Sequence, residues 1–538
     1  MRKRLFYSVL AFVLAIVFLA GCSGGSVDGP ESTQGTDKPM PSAAIPDPEA
    51  EYEENVYLGS SEDLSSPDPY SNTNSNTWYF TNLTFEPLIH ISNADGKVLP
   101  RLATSWEANE DNTKWTFHLD PKGKFHDGSP FTSADVLFTW NMVTDGTKVV
   151  VPFTGAQVAV VDTIECPDAQ TIVFNLKQPM VDFVNYMEFK MYSKTAFETL
   201  GAEAAVSIGT GPYYYNKEMT KSGVQFVASR FDDYRGGIEK YPTKNLIFVY
   251  TPNQDTMVAA LQAGEVDFIF GINASQIATL EATGGLDMYS LNGTFSYYLA
   301  CNQRKEMFKD PELRKAIAMG VDKESLIAVA YNGGIGGSIS FNSCPPMAQG
   351  YTADIPYVKY DPEAAKAKLA DLGYPNLKLV LAYPALEVNK AMCEVIQSSL
   401  SQIGIEVTLI SQDVSNWVPF KQSDDYDMFV DCMGFNLGAM TFTFNRFFRD
   451  TGNANFYGYA SEEYNKLQDK VTNSLTWDEA VAAFQEVQKF VAEDCPVFPL
   501  AYNKCIYAFR DDLGGLDAEV FGPNFNFMNV STLFVEKR

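Results

Sequence analysis

Few residues of this chain are spaced for catalysis or metal binding. His126 and Asp127 are adjacent and could serve acid–base chemistry, but no nucleophile motif of the G-x-S-x-G kind accompanies them. No histidine forms the H-E-x-x-H spacing of a zinc site, and the pattern therefore predicts no enzyme, no metal and no cofactor. The three histidines are His90, His118 and His126.

Aromatic and amide side chains are the better candidates for chemistry. Clefts that bind small molecules combine ring faces with a few convergent polar groups. Core packing stays the alternative for each residue, because aromatic side chains fill cores at least as often as pockets. The candidate ligand-binding residues are Tyr70, Trp78, Tyr79, Tyr297, Tyr298, Asn302, Trp417, Phe435 and Asn436.

Two further motifs are assigned to structure rather than to chemistry. Gly209 and Gly211 flank Thr210, but the Gly-Lys-Ser/Thr of a phosphate-binding loop is absent, and we expect a backbone turn beside the cleft. Glu265 and Asp267 alternate as on a strand edge, which favours a solvated or capping pair.

Composition excludes several classes of protein. With 538 residues, the chain is long enough for two to four packing units. The 67 acidic residues outnumber the 40 basic ones and give a formal net charge of −27. A chain this acidic lacks the positive surface of a nucleic-acid binder and is not attracted to anionic lipid.

The first 22 residues are typical of a secretory signal. Three basic residues at positions 2–4 precede an apolar run over 5–20 that is short for a membrane span. The run ends in Leu19, Ala20, Gly21 and Cys22, which resembles the lipobox of bacterial lipoproteins. That resemblance implies cleavage before Cys22, a diacylglycerol on its thiol, and anchoring at the outer face of the bacterial cytoplasmic membrane.

Residues 23–50 are rich in Gly, Ser, Pro and Asp without apolar periodicity, and we expect a flexible tether. Such a coil spans on the order of 30 Å. No other stretch reaches 18 consecutive apolar residues, so the chain is expected to be anchored to the membrane rather than to cross it.

Seven cysteines remain besides Cys22, and none belongs to a C-x-x-C pair. This argues against a metal knuckle or a disulfide-rich scaffold. A bridge between Cys495 and Cys505, or between Cys301 and Cys344, is left open.

The body of the chain changes character near residue 293. Before it, apolar residues alternate with period two over 115–119, 172–176 and 224–228, which predicts strands. One helix is predicted after Thr132, with Asp135 in the position of a capping box.

From 294 to 500 the pattern is that of helices alternating with strands. Helices are predicted to start after Asp310, Asp322 and Asp361, because aspartate caps the first turn and proline follows two of the three. A strand over 378–383, a helix over 388–403 and a strand over 405–410 follow, and this alternation predicts a largely parallel sheet.

Together these motifs resemble the family 5 extracellular solute-binding proteins, the peptide and nickel receptors of ABC importers. The resemblance extends from about residue 52 to the end of the chain. The matching segments are 83–88, 95–107, 115–119, 124–130, 132–136, 209–213, 261–267, 313–322, 360–366, 403–407 and 494–500.

The resemblance implies an α/β, two-lobed periplasmic-binding-protein-like fold of class II type. Lobe I would combine 51–293 with 501–538 and carry an extra β-rich subdomain over 93–199, while lobe II would be 294–500. The partners implied are a small peptide or peptide-like solute, possibly a neutral one, and the transmembrane permease subunits. We expect a monomer that binds no nucleic acid. The turn around His126 would be structural.

The loop after the predicted strand 427–434 departs from the peptide-binding relatives. Those relatives carry a Gly-Trp pair followed by an aspartate that pairs with the ligand's α-ammonium. Here Phe435 replaces the tryptophan, Gly438 stands at the acidic position, and no carboxylate occurs before Asp450. We therefore expect free-amino peptides to be disfavoured, unless Asp427 or Asp431 reaches the same space.

Three functions are kept open. The chain is interpreted first as the receptor of an importer, and second as a surface sensor on the same fold that binds a signal without transport. A lipoprotein enzyme using paired carboxylates is the third. A neighbouring permease and ATPase locus would favour the first over the second, and an unchanged ligand after incubation would count against the third.

Overall fold

The computed structural model describes residues 46–71, 75–93, 96–145, 155–272, 274–435, 440–521 and 528–537. Cys22, the predicted tether up to residue 45, and Asn436 lie outside these residues. The last tether residues, 46–50, form a turn in which the backbone N–H of Ala50 donates to Asp47 O over 3.1 Å.

Strands and helices alternate along the described chain. The strands are β1 Asn55–Ser60, β2 Ile89–Ile91, β3 Val98–Pro100, β4 Ala103–Ala108, β5 Lys114–Leu119, β6 Val161–Asp168, β7 Thr171–Leu176, β8 Tyr213–Tyr215, β9 Gln225–Arg230, β10 Asn245–Tyr250, β11 Phe268–Ile269, β12 Leu286–Cys301, β13 Gly337–Ile339, β14 Lys378–Pro384, β15 Glu406–Gln412, β16 Met428–Gly434, β17 Val497–Arg510, β18 Leu513–Gly514 and β19 Phe534–Val535. The helices are α1 Ser75–Thr84, α2 Ser133–Thr144, α3 Gly155–Val160, α4 Lys194–Leu200, α5 Ala202–Ala205, α6 Gln254–Gln262, α7 Ile277–Glu281, α8 Pro311–Met319, α9 Lys323–Ala330, α10 Pro362–Asp371, α11 Glu387–Gln402, α12 Val414–Lys421, α13 Met440–Phe448, α14 Glu462–Thr472 and α15 Trp477–Asp494.

Eleven of the described strands form one mixed sheet. Its order is β15-β14-β16-β12-β17-β11-β1-β10-β9-β8, with β13 paired to β17. The prediction of a largely parallel sheet after residue 294 holds for β14 with β15 and β16, but β12 is antiparallel to both of its neighbours. The reason is that β12 pairs with β17, about 200 residues further along the chain, and local periodicity does not reveal such a long-range pairing.

Local signals account for the helix starts. The side chains of Asp310, Asp322 and Asp361 accept hydrogen bonds from the first-turn backbones of α8, α9 and α10, as predicted. At α2, Asp135 accepts from the backbone N–H of Thr132 over 2.8 Å, which is the reciprocal half of a capping box.

The buried apolar residues form separate cores. Two clusters, one on each face of the sheet, are built from residues between Tyr298 and Ala501. Three others are built from residues between Val56 and Met288 together with the segment from Cys505 to Val535. The change of core falls where the sequence pattern changes.

Two motifs serve structure in ways that their spacing did not indicate. Asp267 is buried and forms an ion pair with Arg510 over 3.0 Å, so the solvated alternative of the prediction was wrong for it, although Glu265 is exposed. A Cβ on Gly209 would lie 1.9 Å from Thr84 O at the end of α1, which explains the glycine without any ligand.

His126 and the cysteines are also structural. The Nε2 of His126 lies 3.0 Å from Gly211 O, and burial lowers the pKa of this histidine to about 4. The seven described cysteines are all free thiols, so neither candidate disulfide forms in this structure.

His90 joins three distant segments of the chain. Its Nδ1 lies 2.7 Å from Glu188 Oε1 and its Nε2 lies 2.6 Å from Glu519 Oε2. Burial alone disfavours the imidazolium, but hydrogen bonds to the two carboxylates outweigh burial and raise the pKa of His90 to about 9.

We expect His90→Gln to destabilise the protein in a pH-dependent manner. A pKa raised from 6.5 to about 9 contributes stability that is complete below pH 6.5 and is lost as pH rises through 9. The free energy of unfolding should therefore fall by about 3 kcal/mol at pH 6, and the difference should shrink towards zero above pH 9. Denaturant unfolding at several pH values measures it.

The comparison is made with the wild-type chain at each pH. Burial lowers the pKa of Lys190 and of Lys323 to about 7, and these two groups make wild-type stability rise with pH over an overlapping range. His118→Gln, on an exposed strand position, controls for the loss of a histidine. A difference that is constant from pH 6 to pH 10 would show that the imidazolium is not what stabilises the fold.

Candidate functional site

The candidate site lies where β12 and β17 run from one set of cores to the other. Asn292 pairs with Lys504 and Ser296 with Tyr502, so β12 advances by four residues where β17 advances by two. This bulge breaks the ladder in the middle of both strands. A Cβ at Gly293 would lie 2.4 Å from Asn503 Oδ1, so any other residue there would have to displace the Asn503 amide. We refer to residues 292–296 and 502–504 as the crossing.

The two halves also touch beside the crossing. The amide of Gln349 donates to Gly96 O, and Asn112 Nδ2 donates to Leu475 O over 2.9 Å. Phe442 packs against the core built from Tyr70–Tyr192, and Val181 packs against the core of the other half. These contacts form a seam between the two halves.

The loop that follows β16 starts at the crossing. Gly434, the last residue of β16, pairs with Phe295, and the backbone N–H of Phe435 donates to Thr294 O over 3.1 Å. The Phe435 ring is 5% exposed and meets Phe444 edge-on, with ring centroids 6.0 Å apart. Asn436, the next candidate, lies outside the described residues.

Three of the predicted aromatic residues come together on one face of the sheet. Tyr298, Trp417 and Phe435 belong to the same core, and both Tyr298 and Trp417 contact Phe429 with ring centroids 5.9 Å apart. The Tyr298 hydroxyl is buried and has no hydrogen-bond partner among the described residues. Tyr297, the next residue on the strand, packs on the opposite face against Tyr331.

The other predicted residues lie elsewhere. Tyr70 is buried in the β-rich core with its hydroxyl donating to Lys190 O over 2.7 Å, and Tyr79 stacks on Phe270 with centroids 4.5 Å apart. Trp78 is half-buried in α1. Asn302 is six residues beyond Ser296, a strand length of about 20 Å. Its amide is directed to Asp424 and Tyr426.

Both acidic residues that could replace the missing carboxylate are already paired. Asp431 accepts hydrogen bonds from Lys421 Nζ and, over 3.0 Å, from Trp417 Nε1. Asp427 forms an ion pair with Lys305 over 2.7 Å and accepts from the backbone N–H of Val380. Neither carboxylate is left over for an ammonium group of a ligand.

Sequence reasoning missed two cations of this region. Lys421 is 4% exposed, and its Nζ lies 4.2 Å from the centroid of the Phe456 ring. Arg446 lies between the rings of Phe442 and Phe447 at 5.4 and 5.9 Å. The sequence did contain a signal for Arg446, because four phenylalanines lie on either side of it between residues 442 and 448. Such mixing of aromatic and basic residues is typical of cation–π contacts.

Two searches of the described residues found no further feature. No group of three or more His, Cys, Asp or Glu side chains there is arranged to hold a metal ion. Nor does any helix in that part of the chain have the length and apolar character needed to cross a membrane.

Comparison with solved structures identifies the fold. The ABC transporter substrate-binding protein CtaP from Listeria monocytogenes has a TM-score of 0.80 and 22% identity, covering 90% of this chain and 100% of its own. The binding protein AgaA in complex with agropinic acid, from A. tumefaciens R10, has a TM-score of 0.71 and 25% identity over 90% of this chain and 99% of its own. The predicted two-lobed α/β fold of periplasmic binding proteins is confirmed.

Comparison of sequences agrees. The dipeptide-binding protein of Escherichia coli is 23% identical over 482 residues, which are 83% of this chain and 88% of that protein. The family model described as bacterial extracellular solute-binding proteins, family 5 middle, matches residues 97–455, well over half of the chain. By this match, the chain belongs to the family 5 bacterial extracellular solute-binding proteins.

Proposed function

We propose that this chain is the lipid-anchored, substrate-binding component of an ABC importer. It captures a peptide or peptide-like solute between two lobes and delivers it to the permease subunits at the outer face of the cytoplasmic membrane. The names of its relatives, which include a dipeptide-binding protein and a complex with agropinic acid, support a small organic solute. We also propose that the protein acts as a monomer.

The proposed lobes are 51–293 with 501–538, including the subdomain 93–199, and 294–500. The separate cores support these bounds, because the clusters of the second lobe draw on residues 298–501 and those of the first on residues on either side of that range. Among the described residues, Phe442 and Val181 are exceptions, because each packs against a core of the other lobe; both lie at the seam.

The crossing is the single observation that carries this proposal. Two strands pass between the lobes, and the bulge at residues 292–296 interrupts their ladder between the two cores. A pair of strands with a local break can absorb a change of backbone angle while each lobe stays rigid. Mass spectrometry of the solute that co-purifies with the protein tests the proposal directly.

We expect the solute to compact and stabilise the protein. A ligand that contacts both lobes favours the closed state by its differential affinity for that state. At 100 times its dissociation constant it should add about 2.7 kcal/mol to the free energy of unfolding. Thermal melting measures the stability, and small-angle scattering measures the radius of gyration of the stripped and reloaded protein.

Gly293→Val is the matched variant, because it adds a branched side chain where a Cβ already meets Asn503. We expect this variant to change the solute-dependent decrease in the radius of gyration more than it changes the affinity of one lobe for the solute. A bound solute that leaves the radius of gyration unchanged would contradict closure.

We propose further that the preferred solute lacks a free α-ammonium group. A buried ammonium needs a carboxylate, because an unpaired buried charge is costly. Asp427 and Asp431 are engaged by Lys305 and Lys421, and the loop from Gly434 to Thr441 has no acidic residue. N-blocked peptides or other uncharged amides should therefore bind better than free-amino ones.

Calorimetric titration with matched pools of free and N-acetylated dipeptides tests this specificity. We expect the acetylated pool to bind at least tenfold more tightly, a difference of about 1.4 kcal/mol. Tight binding of the free pool that disappears on acetylation would show that another carboxylate serves the ammonium group.

A further inference from the structure

Arg446 is a cation without a counter-charge at the seam between the two halves. It lies in the last turn of α13, the helix that begins directly after the loop following β16. No carboxylate of the described residues lies within ion-pair distance of it, and Asp450, one turn further on, accepts instead from the backbone N–H of Thr451. Six of the seven other described arginines do have such a carboxylate, and Arg101 is the one that does not: the six are Arg230, Arg235, Arg304, Arg314, Arg449 and Arg510.

The surroundings hold the guanidinium in place. Its Cζ lies 5.4 Å from the ring centroid of Phe442 and 5.9 Å from that of Phe447. Its Nε donates to Asn453 Oδ1 over 3.0 Å. A guanidinium has five N–H donors, so the four at its terminal nitrogens have no partner among the described residues.

The position of Phe442 shows which way this side chain is directed. Phe442 and Arg446 are four residues apart and therefore share one face of α13. Phe442 packs against the core of the opposite half, so this face borders the seam. Phe447 in turn contacts Tyr298 of β12, with ring centroids 6.1 Å apart. Arg446 is thus linked through Phe447 to Tyr298, which is two residues from the crossing, the region where the proposed solute would bind.

Partial burial makes the lack of a partner unfavourable. The pKa of the Arg446 guanidinium is lowered because its charge is partly removed from water. The planar fork matches two carboxylate oxygens, and a charge-assisted pair of this kind is stronger than a neutral hydrogen bond.

We propose that Arg446 binds a carboxylate of the solute, so that the solutes of this protein are organic acids without a free ammonium group. This inference rests on the proposed function and specifies its substrate class. The rings of Phe442 and Phe447 pack against the half-buried guanidinium and restrict its orientation, while the solute supplies the missing negative charge. In a chain with a net charge of −27, such a cation also gives the acid a local site of opposite sign.

Three dipeptide pools test the inference on the full purified chain: N-acetylated with a free carboxylate, N-acetylated with a C-terminal amide, and free-amino. We expect wild type to bind the acetylated acid about tenfold to a hundredfold more tightly than the acetylated amide. Arg446→Gln should lose that preference while its affinity for the amide stays within about twofold of wild type. Arg446→Lys, which keeps the charge but not the fork, should retain part of it.

Arg449→Gln is the matched control, because Arg449 lies three residues away and is already paired with Asp469. It should keep the acid preference, and thermal melting of each variant verifies folding. Three outcomes would overturn the inference. The first is a wild type without acid preference, including one that binds neither acetylated pool. The second is an Arg446→Gln chain that keeps the preference, and the third is an equal loss of affinity for acid and amide, which would make Arg446 a closure contact. A protein that compacts with its co-purified solute but prefers no acid contradicts this inference alone. One that carries no solute and never compacts contradicts the proposed function.

Discussion

Asp431→Ala should lower the free energy of unfolding by about 3–5 kcal/mol, the range for removing one partner of a buried ion pair. The substitution leaves Lys421 buried among the rings of Trp417, Phe429 and Phe456 without a carboxylate. It also leaves the indole N–H of Trp417 without its acceptor. Denaturant unfolding of the purified variant measures the loss.

The double variant Lys421→Met/Asp431→Leu is the control. Replacing both partners of a buried pair by apolar side chains is often neutral, so we expect stability within about 1–2 kcal/mol of wild type. The contrast separates two roles of Asp431. If it served the ammonium group of a peptide, Asp431→Ala would abolish binding of free-amino peptides and cost little stability, which would contradict its structural role.

We expect Cys22→Ala to abolish the attachment of the protein to the membrane. The residues before Cys22 end an apolar run that is too short to span a bilayer, and two acyl chains are needed for a stable anchor. We expect the variant to be released into the medium or to accumulate as an uncleaved precursor. Fractionation followed by intact-mass measurement distinguishes these products from the lipidated wild-type chain.

Cys166→Ala, at the exposed cysteine of the described chain, is the matched control and should stay with the membrane. A Cys22→Ala protein that remains membrane-bound after its signal has been removed would show that the anchor is not at Cys22.

Local sequence signals predicted most of the helices and strands between residues 310 and 434, but not the four helices α12 to α15. The strand expected over 378–383 is β14, and the helix expected over 388–403 is α11, with ends shifted by one residue. These elements were predictable because a capping aspartate or an apolar period acts within a few residues of chain. The pairing of β12 with β17 was not, since it joins residues about 200 positions apart.

The candidate site was predictable only in part. Tyr298, Trp417 and Phe435 do meet in one core, but the sequence could not show that Trp417 donates to Asp431 or that Lys421 takes the same carboxylate. Asn302 was a candidate because it follows the predicted lobe boundary at residue 293, but the extended strand places it about 20 Å from the crossing. Arg446 was missed although phenylalanines flank it in the sequence, and its lack of a carboxylate partner is recognised only when its surroundings are known.

The sequence by itself determined the family and the positions of the helix starts, because each of these depends on residues that are close together in the chain. Tertiary structure alone decided which charges are paired and which are left without a partner. Ion pairs such as Asp267 with Arg510 join segments far apart in the chain, and their energy depends on burial that only packing creates. For the same reason, the Asp431 carboxylate is already paired with Lys421, whereas Arg446 has no carboxylate partner among the described residues. That difference supports the proposal about the solute.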